Sequence, residues 1–272
     1  MSSTASTCPT ALIHSIAQSL AHARRTGVAW RPGSDEHHEL SASDAYAIQA
    51  AVAAEMGWFP SGPRAWKVGG TTDVSAAPLP EVLRSPANWL LAPSQDEVLI
   101  EAEVAFRFAR APDSHALDGD LDGNLEAILA CLGTACVSVE LIGSRLVDGL
   151  AAPATWKLAD QGVHAGLVIA EEVDCGPLIA FTEGDWQAQA CHIEVRASGA
   201  QAASRTQARG THPAIHPLRT LPWLVKHAAL HTGGLQAGDL VTTGAWLVAQ
   251  VRRGDSVEVG FDGLPPVRLQ VG

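Results

Sequence analysis

The sequence has few positively charged residues and no long uninterrupted apolar run. Its 272 residues include 18 Lys and Arg against 29 Asp and Glu, which gives a formal net charge of −11 at pH 7. A nucleic-acid-binding protein needs a basic surface to displace phosphate counterions, so this composition argues against that class and against anionic membrane surfaces. No stretch approaches the roughly 18 apolar residues of a membrane-spanning helix. We therefore expect neither a nucleic-acid nor a membrane partner.

Paired cysteines and nucleotide-binding loops are also missing. The five cysteines are scattered without a C-x-x-C pair, and neither a P-loop nor a G-x-G-x-x-G stretch occurs. Residues 1–10 show no basic segment followed by an apolar run, the pattern of a secretory leader. An odd, scattered set of cysteines is typical of reduced thiols. These absences predict a cytoplasmic location and give no support to a nucleotide cofactor.

The first part of the chain has the periodicity of helices. Apolar residues recur at helical spacing over 11–24, and an Ala-rich run covers 45–56. Ser41 precedes Asp44 by three residues, which resembles a capping box with Asp in place of Glu. The polar residues 30–38, between these segments, predict a loop.

From Trp66 onward the segments become short, β-branched and separated by Gly, Pro and Asp, which predicts strands. The predicted strands cover residues 65–68, 98–108, 137–142, 165–169, 190–195, 240–243, 256–261 and 267–271. Helices are predicted at 125–132 and 221–231, and a mobile polar loop at 196–212. This pattern favours an α+β chain, with a mainly helical region at 1–90 and a β-rich domain at 91–272.

Two carboxylates point to the same face of the strand predicted at 98–108. With a period of two, one face of this strand is wholly apolar, while the other carries Glu101, Glu103 and Arg107. The backbone positions of the two glutamates are about 7 Å apart by strand rise. Like charges this close repel each other and raise one pKa unless a cation lies between them. Mg2+ and Mn2+ prefer such oxygen ligands.

A third carboxylate, Glu140, lies among apolar neighbours in the strand predicted at 137–142. A charge there is costly unless it is paired or ligated. The spacing alone leaves an alternative open, in which Glu101 and Glu103 are solvated, Arg107 pairs with one of them, and Glu140 lies at a sheet edge.

Several stretches, in the same order along the chain, resemble the fumarylacetoacetate hydrolase superfamily. They are most similar to its branch of 2-keto-4-pentenoate hydratases and 4-oxalocrotonate decarboxylases. The matching stretches are residues 41–49 (SASDAYAIQ), 66–69 (WKVG), 101–106 (EAEVAF), 140–145 (ELIGSR), 158–160 (LAD), 238–244 (GDLVTTG) and 254–257 (GDSV).

The resemblance implies a helical segment followed by a mixed β-roll that forms homodimers or larger rings. It also implies Mg2+ or Mn2+ on Glu101, Glu103 and Glu140, and a short 2-oxo or 2-hydroxydienoic acid as substrate. The chain departs from the family pattern at Gly70 and Gln161, and the P-D-F-G stretch of the hydratases has no clear match.

Four further residues are candidates for the reaction. Lys67 and Asp160 are predicted to be catalytic, and Thr71 and Thr243 to bind the substrate carboxylate. Each residue has an alternative interpretation. Lys67 could be a surface lysine whose stem lies along apolar surface, and Asp160 could be an ordinary turn residue. The threonines could be structural, because threonine is common in strands and turns.

The leading functional hypothesis is a metal-dependent hydratase that adds water to a 2-hydroxydienoic acid, in the catabolism of aromatic-derived or related 2-oxo acids. A 2-oxo-dioate decarboxylase or a C–C bond hydrolase of the same fold is the alternative, because all three reactions share a dienolate. A third hypothesis is a catalytically weak assembly subunit, which the departures at Gly70 and Gln161 motivate.

Overall fold

The computed structural model describes residues 8–33, 39–92, 95–117 and 121–272. Its α-helices are α1 (Thr10–Thr26), α2 (Ala42–Glu55), α3 (Leu121–Leu129), α4 (Ala154–Ala159), α5 (Gly176–Ile179), α6 (Glu183–Ala188) and α7 (Leu221–Thr232). The predicted capping box begins α2, since the Ser41 side chain accepts from the backbone N–H of Asp44 and the Asp44 carboxylate accepts from that of Ser41. Helix α1 ends at Gly27, which has a left-handed conformation that glycine adopts without steric cost.

Fourteen strands in the described residues form two sheets. The strands are β1 (Ala65–Gly69), β2 (Ser75–Pro78), β3 (Val82–Arg84), β4 (Ala87–Trp89), β5 (Glu97–Phe108), β6 (Leu132–Ile142), β7 (His164–Ile169), β8 (Val173–Asp174), β9 (Ala190–Arg196), β10 (Ser204–Arg209), β11 (Leu240–Thr242), β12 (Leu247–Arg252), β13 (Ser256–Phe261) and β14 (Val267–Val271). The larger sheet has the order β2-β1-β11-β5-β6-β7-β3, with β12 also on β5 and β8 on β6. The smaller sheet has the order β10-β9-β13-β14-β4.

The long strand β5 organises the larger sheet. It pairs with β6 along most of its length, and with β12 and β11 in succession on its other side. Its apolar face, which includes Ile100, Val104 and Phe106, is buried in the same core as Val259 and Val267 of the smaller sheet. The opposite face of β5 is therefore left to carry polar side chains.

A second core joins the helices α1, α2 and α4. Ile16, Leu20, Ile48 and Trp156 are buried in it. Helix α4 leads directly into a 3-10 turn at Gln161–Val163 and then into β7, which pairs with β6. The helical part of the chain is thereby connected to the polar face of the larger sheet.

The α+β class and the helical segment followed by mixed sheets are confirmed. The division of the chain at residue 90 stays a prediction. Helix α2 ends at Glu55, and the strands β1–β4, which precede residue 90, belong to the two sheets. The polar segment 196–212 was wrongly predicted to be a loop throughout, since Ser204–Arg209 pairs with β9 as an edge strand. An exposed edge strand needs no apolar face, so its sequence lacks the usual alternation.

The third helix begins at Leu121, four residues before the predicted start, and it ends at Leu129 because Leu132 already belongs to β6. Residues 34–38 of the loop predicted at 30–38 lie outside the described part of the chain. Residues 1–7, which belong to the segment compared with a secretory leader, also lie outside it. Among the described residues, no helix is both long and apolar enough to cross a bilayer.

Candidate metal centre

Three carboxylates converge on the polar face of β5 and β6. Glu101 lies directly opposite Glu140 in the antiparallel register, and Glu103 is the next residue on the same face. One oxygen from each of Glu101, Glu103 and Glu140 lies within 4.8 Å of the others. Glu103 and Glu140 are only 1% and 0% exposed, and Glu101 is partly buried. The structure therefore brings together the three residues that the sequence predicted to be ligands, and it does not place them on a solvated face.

The cluster holds more negative charge than its protein neighbours compensate. Burial raises the pKa of Glu103 to about 8, and the charges of Glu140 and Glu101 act in the same direction. Burial and the charge of Glu140 also raise the pKa of Glu101. For Glu140, burial is outweighed by Lys67 and His164, which hold its pKa below the ordinary value. The ionised form of Glu140 is therefore favoured within the protein, whereas a bound cation would favour the ionised forms of Glu101 and Glu103.

The cluster fits a hard divalent cation. All three groups offer oxygen ligands, which Mg2+ and Mn2+ prefer. Oε2 of Glu140 is buried and has no hydrogen-bond partner among the described residues. A buried carboxylate oxygen without a partner is costly, and a bound cation would remove that cost.

Thr242 and Ser138 orient Glu103. The hydroxyl of Thr242 donates to Oε2 of Glu103, and the backbone N–H of Gly244 donates to the same oxygen at 3.0 Å. Oγ of Ser138 lies 2.8 Å from Oγ1 of Thr242. Such outer contacts fix the orientation of a ligand and contribute to metal affinity.

Thr243, which the sequence predicted to bind substrate, and its neighbour Thr242 have different contacts. The hydroxyl of Thr243 donates to the backbone oxygen of Val104 at 2.8 Å, so it is occupied within the sheet. Thr242 is the last residue of β11 and Thr243 follows it, so their side chains point to opposite faces. The register of Thr242 with Ala105 places Thr242 on the face that carries Glu103. Thr71, the other predicted substrate ligand, is exposed in the bend after β1.

Gly70, a departure from the family pattern, is required by the local backbone of this chain. Its φ is +102°, and a side chain there would collide with the backbone oxygen of Asp73. The bend that carries Thr71 therefore depends on glycine at this position.

Lys67 lies beside the carboxylates and not on the outer surface. Its Nζ donates to Oε1 of Glu140 at 2.6 Å and to the backbone oxygen of Gly162 at 3.0 Å. Burial favours the neutral amine, but the carboxylates of Glu140, Glu103 and Glu101 outweigh it and raise the pKa of Lys67. The side chain is therefore an ammonium at neutral pH, able to donate a proton or to attract an anion.

His164 supports Glu140 from the other side. Its Nδ1 lies 3.0 Å from Oε1 of Glu140, and the ring is fully buried. Burial lowers the pKa of His164 despite the opposing effect of Glu140, so the ring is neutral and its Nδ1–H is the donor. The sequence gave no sign of the contact between this histidine and Glu140.

Asp160 forms its side-chain hydrogen bonds with Ser144 and Arg145 and not with the groups around the three glutamates. Its Oδ2 accepts from the hydroxyl of Ser144 at 2.9 Å and from the backbone N–H of Arg145 at 2.8 Å. Its Oδ1 accepts from Nε of Arg145 at 2.5 Å. Because both oxygens are occupied within the protein, the contacts of Asp160 are those of a structural residue, in contrast to its predicted catalytic role.

The fold is shared with enzymes of known structure. No protein-family model and no curated protein matches this sequence. The 4-oxalocrotonate decarboxylase from Pseudomonas putida G7, complexed with magnesium and adipate, is similar with a TM-score of 0.80 and 17% identity over 98% of this chain and 100% of its own. The same enzyme complexed with calcium and acetate gives a TM-score of 0.78 and 16% identity, again over 98% of this chain and 100% of its own.

A shorter match is the fumarylpyruvate hydrolase from Pseudomonas aeruginosa in complex with Mn2+ and pyruvate. Its TM-score is 0.52, with 14% identity over 77% of this chain and 89% of its own. Together these similarities confirm the fold of the fumarylacetoacetate hydrolase type that the sequence motifs predicted.

Proposed function

We propose that this chain is a divalent-metal-dependent lyase of the fumarylacetoacetate hydrolase superfamily, and that it decarboxylates a short 2-oxo dioic acid. The observation that carries the proposal is the convergence of Glu101, Glu103 and Glu140 beside the ammonium of Lys67. A short 2-oxo acid offers two neighbouring oxygens to a cation and a carboxylate to a lysine, so it matches both features.

The three glutamates would hold Mg2+ or Mn2+, with Glu103 oriented by Thr242 and Glu140 by His164. A bound divalent ion would act as a Lewis acid on the substrate oxygens and stabilise the negative charge that develops as the bond breaks. The carboxylates are preorganised for this task by hydrogen bonds within the protein, so little rearrangement is needed during the reaction.

Lys67 would supply the proton. When the bond to the departing carboxyl group breaks, CO2 leaves and its electron pair passes into the conjugated 2-oxo system. The ammonium of Lys67 would then return a proton to the substrate carbon, and water would restore the lysine. The three carboxylates raise the pKa of Lys67 and keep its side chain protonated, so it would begin the cycle with a proton to donate.

We favour decarboxylation over hydration because the structural similarity to a decarboxylase extends over nearly the whole chain. A neighbour that covers 98% of this chain is a decarboxylase complexed with adipate, which is itself a dioate. The hydrolase covers only 77% of the chain. Hydration of a 2-hydroxydienoate, which the sequence favoured, is the second candidate, since the motifs at 41–49 and 140–145 resemble those of both enzymes.

Incubation with each class of substrate distinguishes the two reactions. The purified protein with Mg2+ is supplied with an unsaturated 2-oxo dioate labelled with 13C in the departing carboxyl group, and separately with a 2-hydroxydienoate. Labelled CO2 from the dioate supports decarboxylation, whereas loss of dienoate absorbance without CO2 supports hydration. Glu103→Gln protein and protein treated with a chelator are the controls, and both should be inactive.

Absence of turnover on either substrate would contradict the proposal and favour the assembly-subunit hypothesis. The homo-oligomer that the resemblance implies stays a prediction, which light scattering tests. The cytoplasmic location likewise stays a prediction.

A further inference from the structure

The turn between α4 and β7 has an unusual backbone. Gln161, Gly162 and Val163 are consecutive and all have positive φ, at +52°, +61° and +58°. This left-handed region is rarely adopted by residues with a side chain, and least of all by a β-branched residue such as Val163. Three such residues in succession persist only when the surrounding structure holds them.

The turn is in contact with Lys67. The backbone oxygen of Gly162 accepts from Nζ of Lys67 at 3.0 Å. A Cβ added at Gly162 would lie 3.5 Å from both Cδ and Cε of Lys67, so the stem of the lysine runs directly along this glycine. The left-handed conformation thus turns one carbonyl toward the ammonium and leaves room for the stem.

Arg145 holds the residues that flank the turn on both sides. Before the turn, its Nε and Nη2 donate to Oδ1 and to the backbone oxygen of Asp160, at 2.5 and 2.6 Å. After the turn, its Nη1 donates to the backbone oxygen of His164 at 2.7 Å. Arg145 and Asp160 are 8% and 3% exposed, so little solvent competes with these bonds.

We propose that Arg145 and Asp160 are positioning residues, which hold the left-handed turn Gln161–Val163 so that the carbonyl of Gly162 keeps Lys67 directed at Glu140. The fixed planar fork of arginine suits this task, because one guanidinium reaches acceptors on both sides of the turn. That Lys67 then acts on a substrate rests on the proposed function, whereas its placement does not.

Competitive acylation of the lysines tests the placement without any substrate. The chain has lysine at only three positions, Lys67, Lys157 and Lys226, so labelling of Lys67 is measured by mass spectrometry against the other two in the same sample. We expect Arg145→Lys to raise the relative labelling rate of Lys67 by about two- to tenfold, the equivalent of one lost hydrogen bond.

Arg24→Lys is the matched control. Arg24 also donates to the backbone oxygen of His164, at 2.9 Å, but it has no hydrogen bond to Asp160. We expect this substitution to leave the relative labelling of Lys67 unchanged. Equal labelling of Lys67 in wild-type and Arg145→Lys protein, or an equal increase in both arginine variants, would overturn the proposal.

Gly162→Ala is a second variant for the labelling experiment, and it tests the proposal if Arg145→Lys fails to fold. It leaves the Arg145–Asp160 contacts in place but adds a side chain at a φ of +61° beside the lysine stem. Increased labelling of Lys67 in this variant supports the proposal, and wild-type labelling contradicts it.

Kinetics provide an independent second readout on a substrate that the wild type turns over. Arg145→Lys should lower kcat/KM in the wild-type background and have almost no further effect in the Lys67→Met background, as expected of residues that act through one another. Equal losses in both backgrounds would overturn the positioning role. If the labelling changes as expected but the wild type turns over neither substrate class, the positioning stands and the proposed function fails.

Discussion

Replacing Glu103 by glutamine should stabilise the metal-free protein and abolish its metal binding. Glu103 is buried, and its pKa of about 8 lies far above the ordinary value of 4.5. The folded protein then binds more protons than the unfolded chain between these two pH values, so the stability of the metal-free wild type falls as the pH rises from about 4.5 to about 8. At pH 7 the raised pKa lowers the free energy of unfolding of the metal-free wild type by at most about 3 kcal/mol.

Glutamine removes this cost without disturbing the neighbouring bonds. Its amide oxygen still accepts from the Thr242 hydroxyl and the Gly244 N–H. We expect the Tm of the metal-free variant at pH 7 to be roughly 3–10 °C above that of the wild type. Saturating Mg2+ should raise the Tm of the wild type, because a ligand that binds only the folded state stabilises it, and should leave the variant unchanged.

Thermal unfolding in a chelating buffer, followed by circular dichroism from pH 5 to pH 8.5, measures both effects. Glu97→Gln is the matched control, because Glu97 is an exposed residue of the same strand and should shift stability by less than about 0.5 kcal/mol. Destabilisation of the metal-free Glu103→Gln protein by more than about 1 kcal/mol would refute the reasoning, since this cost is typical of a lost structural contact.

Three further predictions concern the neighbours of the cluster. Lys67→Met should lower turnover by about 100- to 10,000-fold while changing the Mg2+ dissociation constant far less, and a variant within about threefold of wild type would exclude proton transfer by Lys67. Thr242→Val should weaken Mg2+ binding by about tenfold, because Glu103 loses its orienting donor, whereas Thr243→Val should leave the affinity unchanged. The apparent Mg2+ affinity should rise from pH 6 to pH 8, because the metal displaces a proton from Glu103, and a flat calorimetric profile would contradict this.

The three carboxylates could be singled out by local rules, and the motif resemblance then implied that they hold a metal together. Alternation along β5 puts Glu101 and Glu103 on one face whatever the sheet topology. The cost of burying an unpaired charge singles out Glu140 among its apolar neighbours. Neither argument needs to know which strands are adjacent.

The partners of these ligands could not be predicted, because they depend on register between distant segments. Thr242 reaches Glu103 only because β11 pairs with β5, and Lys67 comes beside them because β1 pairs with β11. The same limit explains Asp160, which the motif comparison placed in the reaction but which the structure pairs with Arg145. A motif gives the residue type at a position and leaves its contacts undetermined.

The strands at the sheet edges were also difficult to predict from the sequence. Strands such as β10 and β12 have exposed residues along much of their length, so their hydrophobic pattern is faint. Central strands such as β5 and β6, buried on at least one face, were predicted to within a few residues.

Calorimetric titration of Mn2+ into protein dialysed against a chelator tests the central claim most directly. Mn2+ is used because it takes the same oxygen ligands as Mg2+. We predict one binding site per chain, with release of protons at pH 7 that is seen as a dependence of the heat on the buffer, and no binding to the Glu103→Gln variant. The claim would be contradicted by a wild-type protein that shows no saturable Mn2+ binding, or by a Glu103→Gln variant that binds Mn2+ as tightly as the wild type.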